Sequence, residues 1–268
     1  MIITRTPLRV SFFGGGSDYP KWLNENDGAV LSTTIDKYNY ISLRRLPPFF
    51  EHKHRIVYSV IETPDSLDKI QHPSVRECFK FCKIGQIGLE VHYDGDLPAR
   101  GGLGSSSSFT VGLLNALYNM FNIKVDKLKL AMDAIYVEQE MIKEHVGCQD
   151  QAAASIGGFN KIIFRNNKID VFPVSYPKIL NSYLLLAYTG QSRYADSIAG
   201  TYKLNSSEII LMTQMVDEAI KLLSNNKIVE FGKLLNASWQ IKKRLSPLIS
   251  GVVVDGIYEK AMKSGAIG

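Results

Sequence analysis

Apolar positions along the chain follow two different periods, and the change from one to the other falls near residue 105. Before it, residues 2–5, 8–13, 29–45 and 55–60 are runs rich in β-branched and aromatic side chains, punctuated by Gly, Pro and Asn, and they predict strands. In 8–13 the alternation sets Val10 and Phe12 on one face and Arg9 and Ser11 on the other. A helix at 73–83 and a strand at 88–94 follow. From Ser105 the spacing becomes helical, with Phe109, Leu113, Leu117 and Met120 on one stripe. A second helical pattern runs from Lys127 to about His145 and is closed by Gly147. Asp150 opens a short helix to about Ile156, and Gly157-Gly158 turns into strands at 161–164 and 168–173. Beyond Pro177 the pattern predicts a strand at 182–188 and helices at 206–224, 228–239 and 248–264. There is no internal repeat and no low-complexity linker. These elements predict an α+β protein with an N-terminal domain over residues 1–175 and a smaller C-terminal domain over 176–268.

Composition narrows the class. With 268 residues, 45% hydrophobic and 21% charged, the chain has the make-up of a globular protein, which excludes wholesale disorder, collagen and coiled coil. The longest apolar run, around 183–188, is far below the roughly 18 residues of a membrane span, and the N-terminus lacks the apolar core of a signal peptide. A cytoplasmic protein with no membrane partner is expected. Cys78, Cys82 and Cys148 are too few for a disulfide framework, and Cys78 and Cys82 lack a second ligand pair for zinc, so reduced thiols are expected. The net charge of +5 is spread without a block, which suits anionic small molecules and gives no nucleic-acid partner. Lys242-Lys243-Arg244 reads as a solvated helix face.

Candidate chemistry begins at Pro98-Ala99-Arg100-Gly101-Gly102-Leu103-Gly104-Ser105-Ser106-Ser107-Ser108, between a predicted strand and an amphipathic helix. Glycines let the backbone approach a ligand, and the helix start offers unpaired N–H groups and a positive dipole end to an anion. The same composition also fits a flexible linker, although a linker would not sit between two regular elements. No Gly-Lys-Ser/Thr follows, so this is not a Walker loop. Glu138 has Ala134, Ile135, Met141 and Ile142 at its helical neighbours, which places a carboxylate on an apolar stripe. A charge there needs a partner, either a buried Arg or Lys or a metal ion. Taken alone, Arg9 fits a surface strand residue, Asp18 a turn residue and Asp150 a helix cap.

Two segments resemble the GHMP small-molecule kinases. Pro98, Gly102, Leu103, Gly104, Ser105 and Ser106 are similar to the family's second motif, with Arg100 departing where the family has a small residue. Pro7-Leu8-Arg9-Val10-Ser11-Phe12-Phe13-Gly14-Gly15-Gly16-Ser17-Asp18-Tyr19-Pro20 resembles its first motif, and Gly147-Cys148-Gln149-Asp150-Gln151 resembles the galactokinase-like catalytic segment. The resemblance implies a two-domain fold whose C-terminal part is a ferredoxin-like α+β domain. It implies ATP bound by Pro98, Gly101, Gly102, Leu103, Gly104, Ser105, Ser106 and Ser107, and Mg²⁺ held by Ser106 and Glu138. It also implies Asp150 as the base with Arg9 beside it at the transfer site, and a substrate held by Gly15, Gly16, Ser17 and Asp18. The family's third motif would begin just beyond Gly268, so the C-terminal domain is expected to be incomplete, with lower stability and weak or absent turnover.

Within the family, the glycines at 14–16, the run Ser105 to Ser108 and Thr189-Gly190-Gln191-Ser192-Arg193 look most like the D-glycero-D-manno-heptose 7-phosphate kinases of surface-polysaccharide pathways. Those enzymes phosphorylate the anomeric hydroxyl to give the 1,7-bisphosphate. A sugar phosphate needs a cationic anchor, and Arg193 is the candidate, unless it is a solvated loop residue. A kinase for galactose, fucose or a non-sugar alcohol, and a catalytically silent binding protein, are the alternatives. A homodimer is compatible with this reading.

Overall fold

Long runs of β-branched and aromatic residues make the strands, and the computed structural model describes them within residues 1–99, 101–165, 168–190 and 207–268. Arg100 and Arg193 lie outside the described residues. The chain gathers into two units, each drawn from several stretches of sequence. One comprises Met1–Arg9, Thr34–Glu144 and Asp150–Gly157, and the other Val10–Thr33, His145–Gln149 and Gly158–Gly268.

Strands β1 (Ile2–Phe13) and β2 (Gly28–Arg45) pair with each other and supply residues to both units. In the first unit, β2 runs antiparallel to β5 (Leu89–Gly95) in a register of Asn39 opposite Gly95 through Arg45 opposite Leu89. β5 in turn pairs parallel with β3 (Arg55–Val57), which forms a hairpin with β4 (Ile61–Glu62). Alternation puts Ile41, Leu43, Leu89 and Val91 on the buried face. Against them pack α2 (Pro73–Phe81), α3 (Ser105–Met120) and α4 (Lys127–Tyr136) through Val75, Phe79, Leu113, Leu117 and Ala134.

Polar ties fix the start of α3, where the glycine loop enters. The Ser108 hydroxyl donates to Thr6 O at 3.1 Å, the Thr4 hydroxyl to Gly112 O at 3.0 Å, and the Asn39 amide to Ser105 O at 2.8 Å. Helix α5 (Gln149–Ile156) is tied to α4 at its far end, where Lys127 Nζ donates to Ile156 O at 2.8 Å and Ser155 Oγ to Lys127 O at 2.6 Å.

In the second unit, β2 pairs antiparallel with β6 (Phe159–Arg165), from Gly28 opposite Phe164 to Thr33 opposite Phe159, and β6 with β7 (Lys168–Pro173). Its helices are α1 (Pro20–Leu23), α6 (Leu180–Tyr183), α7 (Ser207–Ser224), α8 (Ile228–Lys242) and α9 (Val252–Lys263). An edge-to-face group of rings forms the core, with Phe231 5.7 Å from Phe12 and 5.4 Å from Phe13, and Phe12 5.9 Å from Phe159. Val216 and Leu223 of α7 close over it. Trp22, Met212, Leu245 and Ile249 form a separate cluster.

The observed elements depart from expectation most in the following places, besides the strand expected at 55–60, which is shortened to β3 and followed by β4. β1 is continuous through Pro7, which a strand paired on one side tolerates because the missing N–H leaves no ladder bond broken. The helix expected to reach His145 is α-helical only to Tyr136 and then winds into a π-helical turn, Val137–Ile142, that stops at Lys143 in a left-handed conformation. The strand expected at 182–188 does not form. That stretch holds the end of α6 and irregular chain, with Leu185 92% exposed. A strand needs a neighbouring ladder for its N–H and C=O groups, and no described strand offers it one.

Truncating a core ring to alanine leaves a cavity as well as losing burial, so Phe231→Ala is expected to lower stability by about 3–5 kcal/mol. Urea denaturation checks this, and an unchanged midpoint would contradict the packing described.

Candidate active site

The end of β1 and the glycine loop meet through one side chain. Arg9 donates its backbone N–H to Leu103 O at 3.0 Å and its Nη1 to Gly102 O at 2.9 Å. Its Nε and Nη2 both approach Asp150 Oδ1 at 2.7 Å. The guanidinium therefore converges on one carboxylate oxygen, and the other, Oδ2, faces Gly104. A Cβ on Gly104 would stand 3.3 Å from both Asp150 Oδ2 and Arg9 Cγ. Gly104 has φ 73° and is the residue from which α3 starts. An Asp side chain, an arginine and a helix N-terminus are thus assembled in one place. With 26% of its side chain exposed, Asp150 stays accessible to a ligand.

A second carboxylate contacts the first turn of α3, just beyond the glycine loop. Glu138, on the π-helical turn, is 1% exposed, and its Oε2 accepts from Ser107 Oγ at 2.8 Å and Gln151 Nε2 at 2.5 Å. Its Oε1 is buried with no hydrogen-bond partner. Burial pushes its carboxyl up to about 7, against the pull of the nearby Thr110, Ser107 and Gln151 side chains. The arginine or lysine that could neutralise it is absent among the ion pairs of the described residues. A lone carboxylate with an unpartnered oxygen beside a phosphate-type loop fits a hard divalent cation, which takes its remaining ligands from water and phosphate oxygens. No cluster of three His, Cys, Asp or Glu among the described residues could hold a metal by itself.

The other predicted residues divide. Pro98, Gly101 and Gly102 are exposed on the loop, Leu103, Gly104 and Ser105 are half-buried, and Ser106 is exposed one residue before the serine that contacts Glu138. In the second unit, Asp18 is 1% exposed and accepts N–H bonds from Gly16 at 3.1 Å, Gln149 N at 3.2 Å and Gln149 Nε2 at 3.0 Å. The backbone of Gly147 lies so close that a Cβ there would be 1.9 Å from Asp18 Oδ2, which explains the glycine. The Ser17 hydroxyl is buried and taken up inside the turn, with Gly14 O at 2.8 Å and Ala29 N and O at 3.1 Å. Cys78, Cys82 and Cys148 are free thiols.

Residues 73–158 match the model of the GHMP kinases N terminal domain. Over 99% of its length the chain is 30% identical to the D-glycero-alpha-D-manno-heptose 7-phosphate kinase of Campylobacter jejuni, 84% of which it covers. The chain belongs to the GHMP kinase family. It is similar also to the galactokinase of Pyrococcus furiosus, 28% identical over 87% of this chain and 64% of that one. In fold it resembles the crystal structure of a D-glycero-D-manno-heptose 1-phosphate kinase from Bacteroides thetaiotaomicron, with a TM-score of 0.74, 20% identity, and coverage of 91% and 80% of the two chains. As a GHMP kinase it is an ATP-dependent sugar kinase, a transferase that phosphorylates a hydroxyl group. No helix among the described residues is long and apolar enough to cross a membrane.

Two residues of this GHMP kinase were not singled out as site residues from sequence, and one serine contact differs from expectation. Gln149 and Gln151 are neutral amides without a titratable signature, and their only signal is that they flank Asp150. Ser107 rather than Ser106 reaches Glu138, because the first turn of α3 rotates that serine inward.

Two expectations follow from this geometry. The folded chain holds the Glu138 proton more tightly than the unfolded chain, so the stabilisation is full below pH 4.5 and is lost as pH rises through about 7. Glu138→Gln keeps the neutral shape, and in metal-free buffer it should match wild type near about pH 4 and exceed it by roughly 3 kcal/mol near about pH 8. Denaturation at the two pH values checks this, and a constant difference would contradict it. Gly147→Ala, which drives a methyl into Asp18, is expected to destabilise by about 1–3 kcal/mol in thermal melts.

Proposed function

We propose that this GHMP kinase transfers the γ-phosphoryl group of ATP to the anomeric hydroxyl of D-glycero-D-manno-heptose 7-phosphate, giving the 1,7-bisphosphate in a cytoplasmic route to nucleotide-activated heptose. The observation that carries it is the Arg9–Asp150 pair under the glycine loop. Asp150 Oδ2, left free of the guanidinium, takes the proton of the attacking hydroxyl, and the hydroxyl oxygen bonds to the γ-phosphorus as ADP leaves. Arg9 holds that carboxylate in position and adds positive charge where the transferring phosphoryl group gains negative charge. The N–H groups of 101–106 and the start of α3 receive the phosphates. Glu138 and Ser106 hold Mg²⁺, which neutralises phosphate charge when bound. Asp18, with Gly15 and Gly16, orients the sugar. The heptose assignment is supported by the similarity to the Campylobacter enzyme and by the glycines where galactokinases carry a Glu-His pair.

Mass spectrometry of the chain incubated with ATP, Mg²⁺ and a panel of heptose 7-phosphate, galactose, fucose and mevalonate tests the reading. A bisphosphate from the heptose alone is expected, with Asp150→Asn slowing its formation by about 10²–10⁴-fold. Product from galactose or fucose in its place would overturn the heptose assignment, and an Asp150→Asn variant as fast as wild type would overturn the base.

A further inference from the structure

Glutamine is ordinarily a surface residue, yet Gln151 is 0% exposed. It sits one residue beyond Asp150 on α5, a helix held in place at its far end by the Lys127 and Ser155 hydrogen bonds. A buried amide needs partners for its N–H groups and for its carbonyl. The Nε2 of Gln151 donates to Glu138 Oε2 at 2.5 Å, whereas its Oε1 is buried with no hydrogen-bond partner. Glu138 is divided in the same way. Its Oε2 accepts from both Gln151 and Ser107, and its Oε1 accepts from neither. All three residues belong to the first unit.

This pattern does two things to the carboxylate. Two donors converge on a single oxygen, so turning the carboxylate about its last bond costs at least one of them. Which oxygen remains for another ligand is thereby decided, and it is Oε1. The donors are also neutral. An arginine or lysine in the place of Gln151 would hold the carboxylate equally well but would cancel its charge, whereas an amide and a hydroxyl orient it and leave the charge whole. The atoms left over in the Glu138–Gln151 pair are both acceptors, which favours a cation over an anion beside them. Carboxylates that ligate metals are characteristically oriented by hydrogen bonds of this kind.

We propose that Gln151 is a positioning residue of the divalent-cation site: with Ser107 it fixes Glu138 Oε2, and so presents Oε1 to Mg²⁺ with the carboxylate charge intact. The inference deepens the proposed function and rests on it for the assignment of Glu138 as a cation ligand.

Electron paramagnetic resonance of Mn²⁺ titrated into the full chain loaded with a non-hydrolysable ATP analogue tests it, because the signal reads the cation and not turnover. Gln151→Met keeps a buried side chain of similar length without the N–H, and it is expected to weaken Mn²⁺ by roughly 10- to 100-fold. In metal-free buffer it should bind the analogue as tightly as wild type does. Because Gln151 acts through Glu138, Gln151→Met should cost nothing further in a Glu138→Gln background. If Gln151→Met does not fold, the side-chain amide ¹⁵N resonance of Gln151 decides the matter. A shift on adding Mg²⁺ to the nucleotide-loaded wild type, absent in Glu138→Gln, supports the assignment, and no shift overturns it. Undiminished Mn²⁺ affinity in Gln151→Met, while Glu138→Gln loses Mn²⁺, would overturn the role of Gln151 and leave Glu138 as a ligand. An equal loss of metal-free analogue binding would reduce Gln151 to a packing role and overturn it also. Glu138→Gln binding Mn²⁺ like wild type would reject the Glu138 cation site itself and this inference with it.

Discussion

Arg9 is the tie on which the first unit's chemistry depends. The loop 101–104 is nearly devoid of side chains that could anchor it in a core, so its position must come from polar contacts. Arg9 supplies two of them, to Leu103 O and Gly102 O, and with the same guanidinium grips Asp150. A strand end, a ligand loop and a carboxylate are therefore placed relative to one another by one residue, whose own position is set by β1. Because this cation is only partly exposed and points toward the start of α3, its charge adds to the positive end of the helix instead of dissipating in solvent.

Glu138 shows the opposite economy. Its carboxylate is enclosed, two neutral groups donate to one oxygen, and the other oxygen has no donor. The surrounding core is built of Val137, Ala134 and the apolar side of α3, which gives the charge no dielectric relief. Under the proposed function, a cation bound here would relieve that burial and stabilise the folded chain by mass action. The π-helical turn is part of this arrangement, since Val137 and Glu138 are buried at consecutive positions on it.

Much of this was legible from residue order. The burial of Glu138 followed from its apolar neighbours at helical spacing, and the glycine loop from its place between a strand and an amphipathic helix. Long strands and helices such as β2, α3 and α7 emerged close to their observed limits because their periodicity persists over many residues. What failed to show was anything set by tertiary partners. The apolar run at 182–188 has a strand's composition, but a strand exists only with a ladder beside it. The π-helical turn has no local signature. Lys242 looked like one more solvated lysine in a basic triplet, and only the fold sets its ammonium beside Gly15. Interleaving of the two units along the chain is likewise invisible to a reading that proceeds residue by residue.

Gln149, Asp150 and Gln151 are consecutive, yet each serves a different group: Asp18, Arg9 and Glu138 in turn. Successive residues at the start of a helix point about 100° apart, which is how three neighbours reach three separate partners. Adding or deleting one residue here would rotate all three assignments at once, giving each partner the wrong neighbour. The segment can thus diversify by exchanging side chains but not by changing length, and related chains with altered chemistry should differ here in residue identity while keeping the spacing from Gly147 to Gln151.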